Sequence, residues 1–160
     1  MFWKVLLILL VSMIPVIELR GAIPLGLGAD FGLPEWLVLI ITIIGNLIPI
    51  PIIFFFARKV LTWGSTKCKW KWFQKFCDFC LKKGEKTGTK LQKKIKGGVY
   101  WALFLFVAIP IPGTGAWTGT LAASILNLDF KKTMVAITLG IIVAGIIVLL
   151  ASIGIIKLLF

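Results

Sequence analysis

The sequence predicts an all-α integral membrane protein: an inverted repeat of two re-entrant hairpins, each followed by a transmembrane helix. Three observations point there. Of the 160 residues, 59% are hydrophobic, with a mean hydropathy of +1.04. A water-soluble domain of this size leaves too much surface exposed to hide that much apolar area. Nearly all of the net positive charge lies in one internal stretch. The apolar residues form four blocks, two of them long enough for one membrane span and two of an awkward length, broken at their centres.

The first block covers residues 2–29. One clean span takes about 20 residues and two take about 40, so the block is too long for the one and too short for the other. Its centre holds Pro15, Glu18, Arg20, Gly21 and Pro24, and proline removes a backbone donor and clashes with the preceding turn. Two half-length legs folded back on each other satisfy both facts. Lys4 and the apolar run after it resemble the start of a signal peptide, but ELRGAIP at 18–24 is a poor cleavage region, so the segment is expected to be retained.

The second block, residues 36–57, is long enough to span with some tilt. It carries Gly45-Asn46 and then Pro49 and Pro51. The prolines leave carbonyls unpaired and predict a kink. Asn46 either bonds one of those carbonyls or faces a binding site.

Residues 58–98 hold 13 Lys/Arg against 2 Asp/Glu, which accounts for +11 of the net charge of +12. The positive-inside rule places this loop in the cytoplasm, where it would attract anionic lipids. Charge so localised between apolar blocks argues against nucleic acid as a partner. Within the loop, Trp70, Trp72, Phe73, Phe76 and Phe79 share one arc of a helix over 67–83, opposite Lys71, Gln74, Lys75, Asp78 and Lys82. That pattern predicts a helix lying in the membrane interface. Cys68, Cys77 and Cys80 all fall here and are expected to be reduced thiols. Cys77 and Cys80 have the spacing of half a zinc site, but with one further cysteine and no histidine four ligands are not available. No metal or cofactor is expected.

The third block, residues 99–126, has the same awkward length as the first and is broken by Pro110, Pro112, Gly113 and Gly115. It begins after the basic loop and is followed by Asp129-Phe130-Lys131-Lys132, so both ends read as cytoplasmic. The block is therefore a re-entrant hairpin, and legs of about 14 residues would reach about 20 Å, two-thirds of the hydrocarbon core. The fourth block, residues 133–156, has no proline and is long enough to span.

Because the second block ends inside at Arg58-Lys59, it starts outside, and the first hairpin enters from outside. The chain then divides into a first repeat (1–57), a basic cytoplasmic loop (58–98) and a second repeat (99–160). Ile14-Pro15 and Ile109-Pro110 echo each other, and the interval from Gly21 to Gly45 differs by a single position from that between Gly115 and Gly140. Broken helices paired across an inverted repeat mark a binding site near the bilayer midplane.

Two motifs could carry the chemistry. Glu18 and Arg20, followed by Gly21 and Pro24, put a carboxylate and a guanidinium inside an apolar block, where ionisable groups are costly and usually functional. The plainer alternative is that the two neutralise each other or cap loose backbone. Pro110, Pro112, Gly113, Thr114, Gly115 and Trp117 form the second motif. A helix beginning near Thr114 would aim its N-terminal amides at the tip, where they favour anions; the plainer alternative is a tight turn with small residues for packing. No nucleophile–base pair, phosphate loop or dinucleotide motif is present, so an enzyme is not expected.

Read together, Ile14-Pro15 through ELRGAIPLG at 18–26, Gly45-Asn46 and FVAIPIPGTGAW at 106–117 resemble the small multidrug export protein family over nearly the whole chain. The resemblance implies a distant relation to the DedA superfamily, described with re-entrant hairpins and including lipid scramblases and polyprenyl-phosphate flippases. It places Glu18, Arg20, Pro110 and Pro112 at the hairpin tips; the additional acidic and arginine residues of DedA proteins have no counterpart assigned in this chain. The expected function is a transporter of small or amphipathic substrates in a prokaryotic cytoplasmic membrane. A flippase or scramblase of a phosphate-bearing lipid and a non-transporting scaffold are the alternatives. Two spans and two hairpins are too few to enclose a pathway, so a homodimer is expected.

Overall fold

The computed structural model describes residues 2–15, 17–28, 31–67, 98–111 and 115–159, with Lys75, Asp78, Phe79 and Lys82 of the basic loop. All seven elements among them are helices: α1 (Phe2–Ser12), α2 (Glu18–Leu27), α3 (Glu35–Leu47), α4 (Pro49–Lys67), α5 (Gly98–Ala108), α6 (Ala116–Ile125) and α7 (Phe130–Leu159).

Breakers set the short helices. The last turn of α1 tightens through bonds from the amides of Met13 and Ile14 to the carbonyls of Leu10 and Val11, and Pro15 follows in the turn. Gly21 and Pro24 lie inside α2 instead of ending it, although Pro24 brings no amide to the helix ladder. At 11 and 10 residues, α1 and α2 are each about 15 Å long, half the thickness of a hydrocarbon core. α5 and α6, at 11 and 10 residues, match them.

The long helices run further than the apolar blocks do. Residues Glu35–Trp63 form one apolar stretch of 29 residues and Phe130–Ile155 another of 26. Ile48 keeps helical dihedrals (φ −55, ψ −48) between α3 and α4, and Pro49 opens α4 as its first residue, a position that needs no amide partner. α4 passes Arg58 because nothing breaks it there, and the hydroxyls of Thr62 and Thr66 bond back one turn. α7 starts at Phe130, earlier than the apolar block, because Asp129 caps it: its carboxylate accepts the Lys132 amide at 3.0 Å.

The two long helices are antiparallel. Phe54 and Phe55 of α4 pack on Phe130 at the start of α7, with ring centroids 5.3 and 4.8 Å apart. Gly145, deep in α7, faces Leu39 and Ile43 of α3.

Each pair of short helices closes on itself. The Lys4 ammonium donates to the Phe31 carbonyl at 3.0 Å, tying the start of α1 to the segment after α2. The Asp129 amide donates to the Tyr100 hydroxyl at 3.2 Å, tying the start of α5 to the segment after α6. The first tie lies beside the start of α3 and the second beside the start of α7, at opposite ends of the antiparallel pair. The turns between the legs therefore point towards each other. α1 packs on α3 and α5 on α7, whereas α2 reaches α7 and α6 reaches α4. The Ser124 hydroxyl of α6 donates to the Phe54 carbonyl of α4 at 2.7 Å in that last contact.

Large apolar side chains remain on the outside, among them Trp36, Ile52, Phe56, Trp101 and Leu150, each more than 60% exposed. Lipid, not water, suits such a surface.

Candidate functional site between the hairpin tips

The centre of the molecule is where the two turns meet. Glu18 is the first residue of α2, is 6% exposed, and has φ +49. A non-glycine residue in the left-handed region is strained, and such strain persists where surrounding contacts hold it. Here the holding contacts come from the other hairpin. The Glu18 carboxylate accepts the backbone amide of Trp117 at 3.3 Å, across 99 positions of chain. Its oxygens lie against Gly115, where any Cβ would overlap both of them.

Gly115 is the N-cap of α6, with extended dihedrals of φ −163 and ψ −176. Having no side chain, it cannot cap the helix in the usual way. Thr118 satisfies the Gly115 amide with its hydroxyl at 3.0 Å, and Glu18 supplies the missing acceptor from α2. A carboxylate at a helix N-terminus is also favoured by the helix dipole.

Arg20 grips the other broken end. Its guanidinium donates to the Ile111 carbonyl and to the Ile109 carbonyl at 3.3 Å, just beyond the C-terminus of α5. Those carbonyls belong to a stretch where Pro110 and the residues after it stop the helix, and a cation there complements the negative helix end. One hairpin thus places a negative charge on the start of α6 and a positive charge on the end of α5. Glu18 and Arg20 each reach across to backbone of the opposite hairpin.

The structure brings Glu18, Arg20, Gly115 and Trp117 together, and Pro110 lies between the two carbonyls that Arg20 engages. Helix α6 begins two residues after Thr114, close to the expected position. Pro112, Gly113 and Thr114 lie outside the described residues, as do Trp70, Trp72, Phe73, Phe76 and the three cysteines; Phe79 is described and exposed. Gly21 leaves room for the Ile17 side chain against α2, and Pro24 is exposed, so neither makes the cross-hairpin contacts. Asn46 is wholly buried, and neither its amide nitrogen nor its carbonyl oxygen has a hydrogen-bond partner. It bonds neither of the carbonyls that Pro49 and Pro51 leave without an amide. The indole nitrogen of Trp117 and the hydroxyl of Thr133 are likewise buried without a partner.

The Ile109 and Ile111 carbonyls were not foreseen as partners, since acceptors made of backbone leave no mark in residue type. Comparison with known families settles the kinship. A family described as "Putative small multi-drug export protein" matches residues 18–147. The chain belongs to this family. The match starts at Glu18 itself and takes in α2 to α6 and the first part of α7. Together with the apolar long helices it makes the chain a membrane protein of the export type, a class of transporters and not of enzymes. No curated protein and no solved structure matches the chain.

Proposed function

We propose that the chain exports a small or amphipathic substrate across a prokaryotic cytoplasmic membrane, through a pathway gated where two re-entrant hairpins meet. The observation that carries this is the pair of charges on α2, which hold both broken helix ends of the opposite hairpin. All of these contacts go to backbone at half-helix termini, the kind of group that binds substrates and ions at transporter midplanes. An anionic group on a substrate would compete with Glu18 for the α6 amides, or with the carbonyls for Arg20. A proton on Glu18 would remove the charge that those amides favour. Either event loosens the junction, and the two hairpins can then part towards one side of the membrane. The uncompensated amide of Asn46 is a polar group that would gain from a ligand or water entering beside it.

An inverted repeat is supported by the seats of the first legs. A Cβ on Gly45 would come within 2.7 Å of the Leu9 carbonyl, and one on Gly140 within 3.0 Å of the Phe104 carbonyl. Gly45 and Gly140, Leu9 and Phe104, Ile14-Pro15 and Ile109-Pro110, and the helix starts Glu35 and Phe130 are all 95 positions apart. In this topology the basic loop is cytoplasmic, and the assembly proposed is a homodimer.

The test uses proteoliposomes loaded with ethidium, a lipophilic cation, under an imposed pH gradient. Wild type should release the dye, Glu18→Gln should lose dependence on the gradient, and Arg20→Ala should lose release altogether. Wild-type release unchanged in both variants would refute the role of the junction. A lipid flippase is the second reading, favoured by a lysine-ended apolar groove beside α5. Fluorescent phosphatidylglycerol accessibility in the same vesicles decides it: no movement by wild type excludes it.

A further inference from the structure

A groove of about 610 Å³ runs along the outer side of α5 and α7. Its floor and walls are apolar, formed by residues such as Phe104, Leu139 and Val143, and its mouth carries Tyr100, Lys131 and Lys132. Leu139 is 50% exposed, so the groove opens on the surface that faces lipid. It lies apart from the Glu18/Arg20 junction.

The charge sits at one end. Lys131 and Lys132 occupy the first turn of α7, whose amide end adds positive character. The nearby Asp129 carboxylate is turned to the Lys132 backbone amide as the helix cap. The Lys132 ammonium lies over the Tyr100 ring, 5.8 Å from its centroid, which holds it at the rim. From Lys131 to Val143 along α7 is about 18 Å, comparable with one leaflet of hydrocarbon. A groove with cations at the headgroup level and hydrocarbon walls below fits a molecule with an anionic head and a long apolar tail.

We propose that this groove binds one anionic phospholipid, its phosphate at Lys131 and Lys132 and one acyl chain along Phe104, Leu139 and Val143. The assignment holds whether or not the chain exports anything. Tyr100, at the mouth, is placed to offer its ring to the glycerol region while its hydroxyl stays bonded to the Asp129 amide.

The test is lipid retention by the full chain, purified in mild detergent from membranes containing phosphatidylglycerol and phosphatidylcholine and read by native mass spectrometry. Wild type should retain one phosphatidylglycerol per chain. Lys131→Gln with Lys132→Gln should reduce that by about tenfold. Leu139→Trp, which fills the groove and leaves every charge in place, should reduce it too. Replacing Lys86, Lys90, Lys93 and Lys94 of the basic loop by Gln removes part of the diffuse attraction for anionic lipid but should leave this one retained molecule in place, and millimolar glycerophosphate should not displace it. Unchanged helicity by circular dichroism shows that each variant is folded. Equal retention of phosphatidylcholine, loss only in the basic-loop variant, displacement by glycerophosphate, or full retention by the double-lysine and Leu139→Trp variants would each overturn the proposal.

Discussion

At the scale of single residues, the protein hangs on two side chains that satisfy backbone belonging to another part of the chain. Hydrogen bonds to charged groups contribute about 1.5–3 kcal/mol, and leaving a buried partner without its bond costs about as much. Arg20→Lys keeps the charge but cannot fork to two carbonyls. It should therefore retain part of the wild-type thermal stability in detergent, between wild type and Arg20→Ala. Gly115→Ala should be destabilising, because the new methyl group displaces the Glu18 carboxylate; a loss on the order of 2 kcal/mol is expected. In a double-mutant cycle, Gly115→Ala and Glu18→Gln should be less than additive, since both act on one contact. Additive losses in that cycle would separate Glu18 from Gly115. That Glu18 and Arg20 stand apart was legible in the sequence, because charges inside an apolar block are conspicuous. Their partners were not, because the amide of Trp117 and the carbonyls of Ile109 and Ile111 belong to every residue alike.

At the scale of elements, helix ends and close approaches decide the arrangement. Gly45 and Gly140 each let the first leg of a hairpin lie backbone-close against a long helix, Gly45 beside Leu9 and Ser12 and Gly140 beside Phe104 and Val107. Gly45→Val and Gly140→Val should each cost about 1–3 kcal/mol through overpacking, seen as matching falls in melting temperature. A large fall for one and none for the other would break their equivalence. The four short helices could be read from breaker positions and block length, and the start of α6 from the glycines before it. The full extents of α4 and α7 could not. Hydropathy stops where charge begins, but helix α4 continues past Arg58 and Lys59, and α7 starts where Asp129 caps it.

At the scale of the whole molecule, two pairs of short helices approach each other from opposite ends of an antiparallel helix pair. Contacts 89 to 99 residues apart in sequence hold the two tips together. Paired blocks in the sequence suggest two halves and the flanking charges suggest opposed entry; the contacts between the tips are three-dimensional and have no sequence pattern. If the tips meet within the bilayer, the start of α3 and the start of α7 must lie on opposite faces of it. The most direct measurement is labelling of single cysteines by a membrane-impermeant maleimide in intact cells, after replacing Cys68, Cys77 and Cys80 by serine. Leu33→Cys should be labelled from outside, and Phe130→Cys only after the cells are opened. Labelling of both positions from the same side would contradict the opposed hairpins.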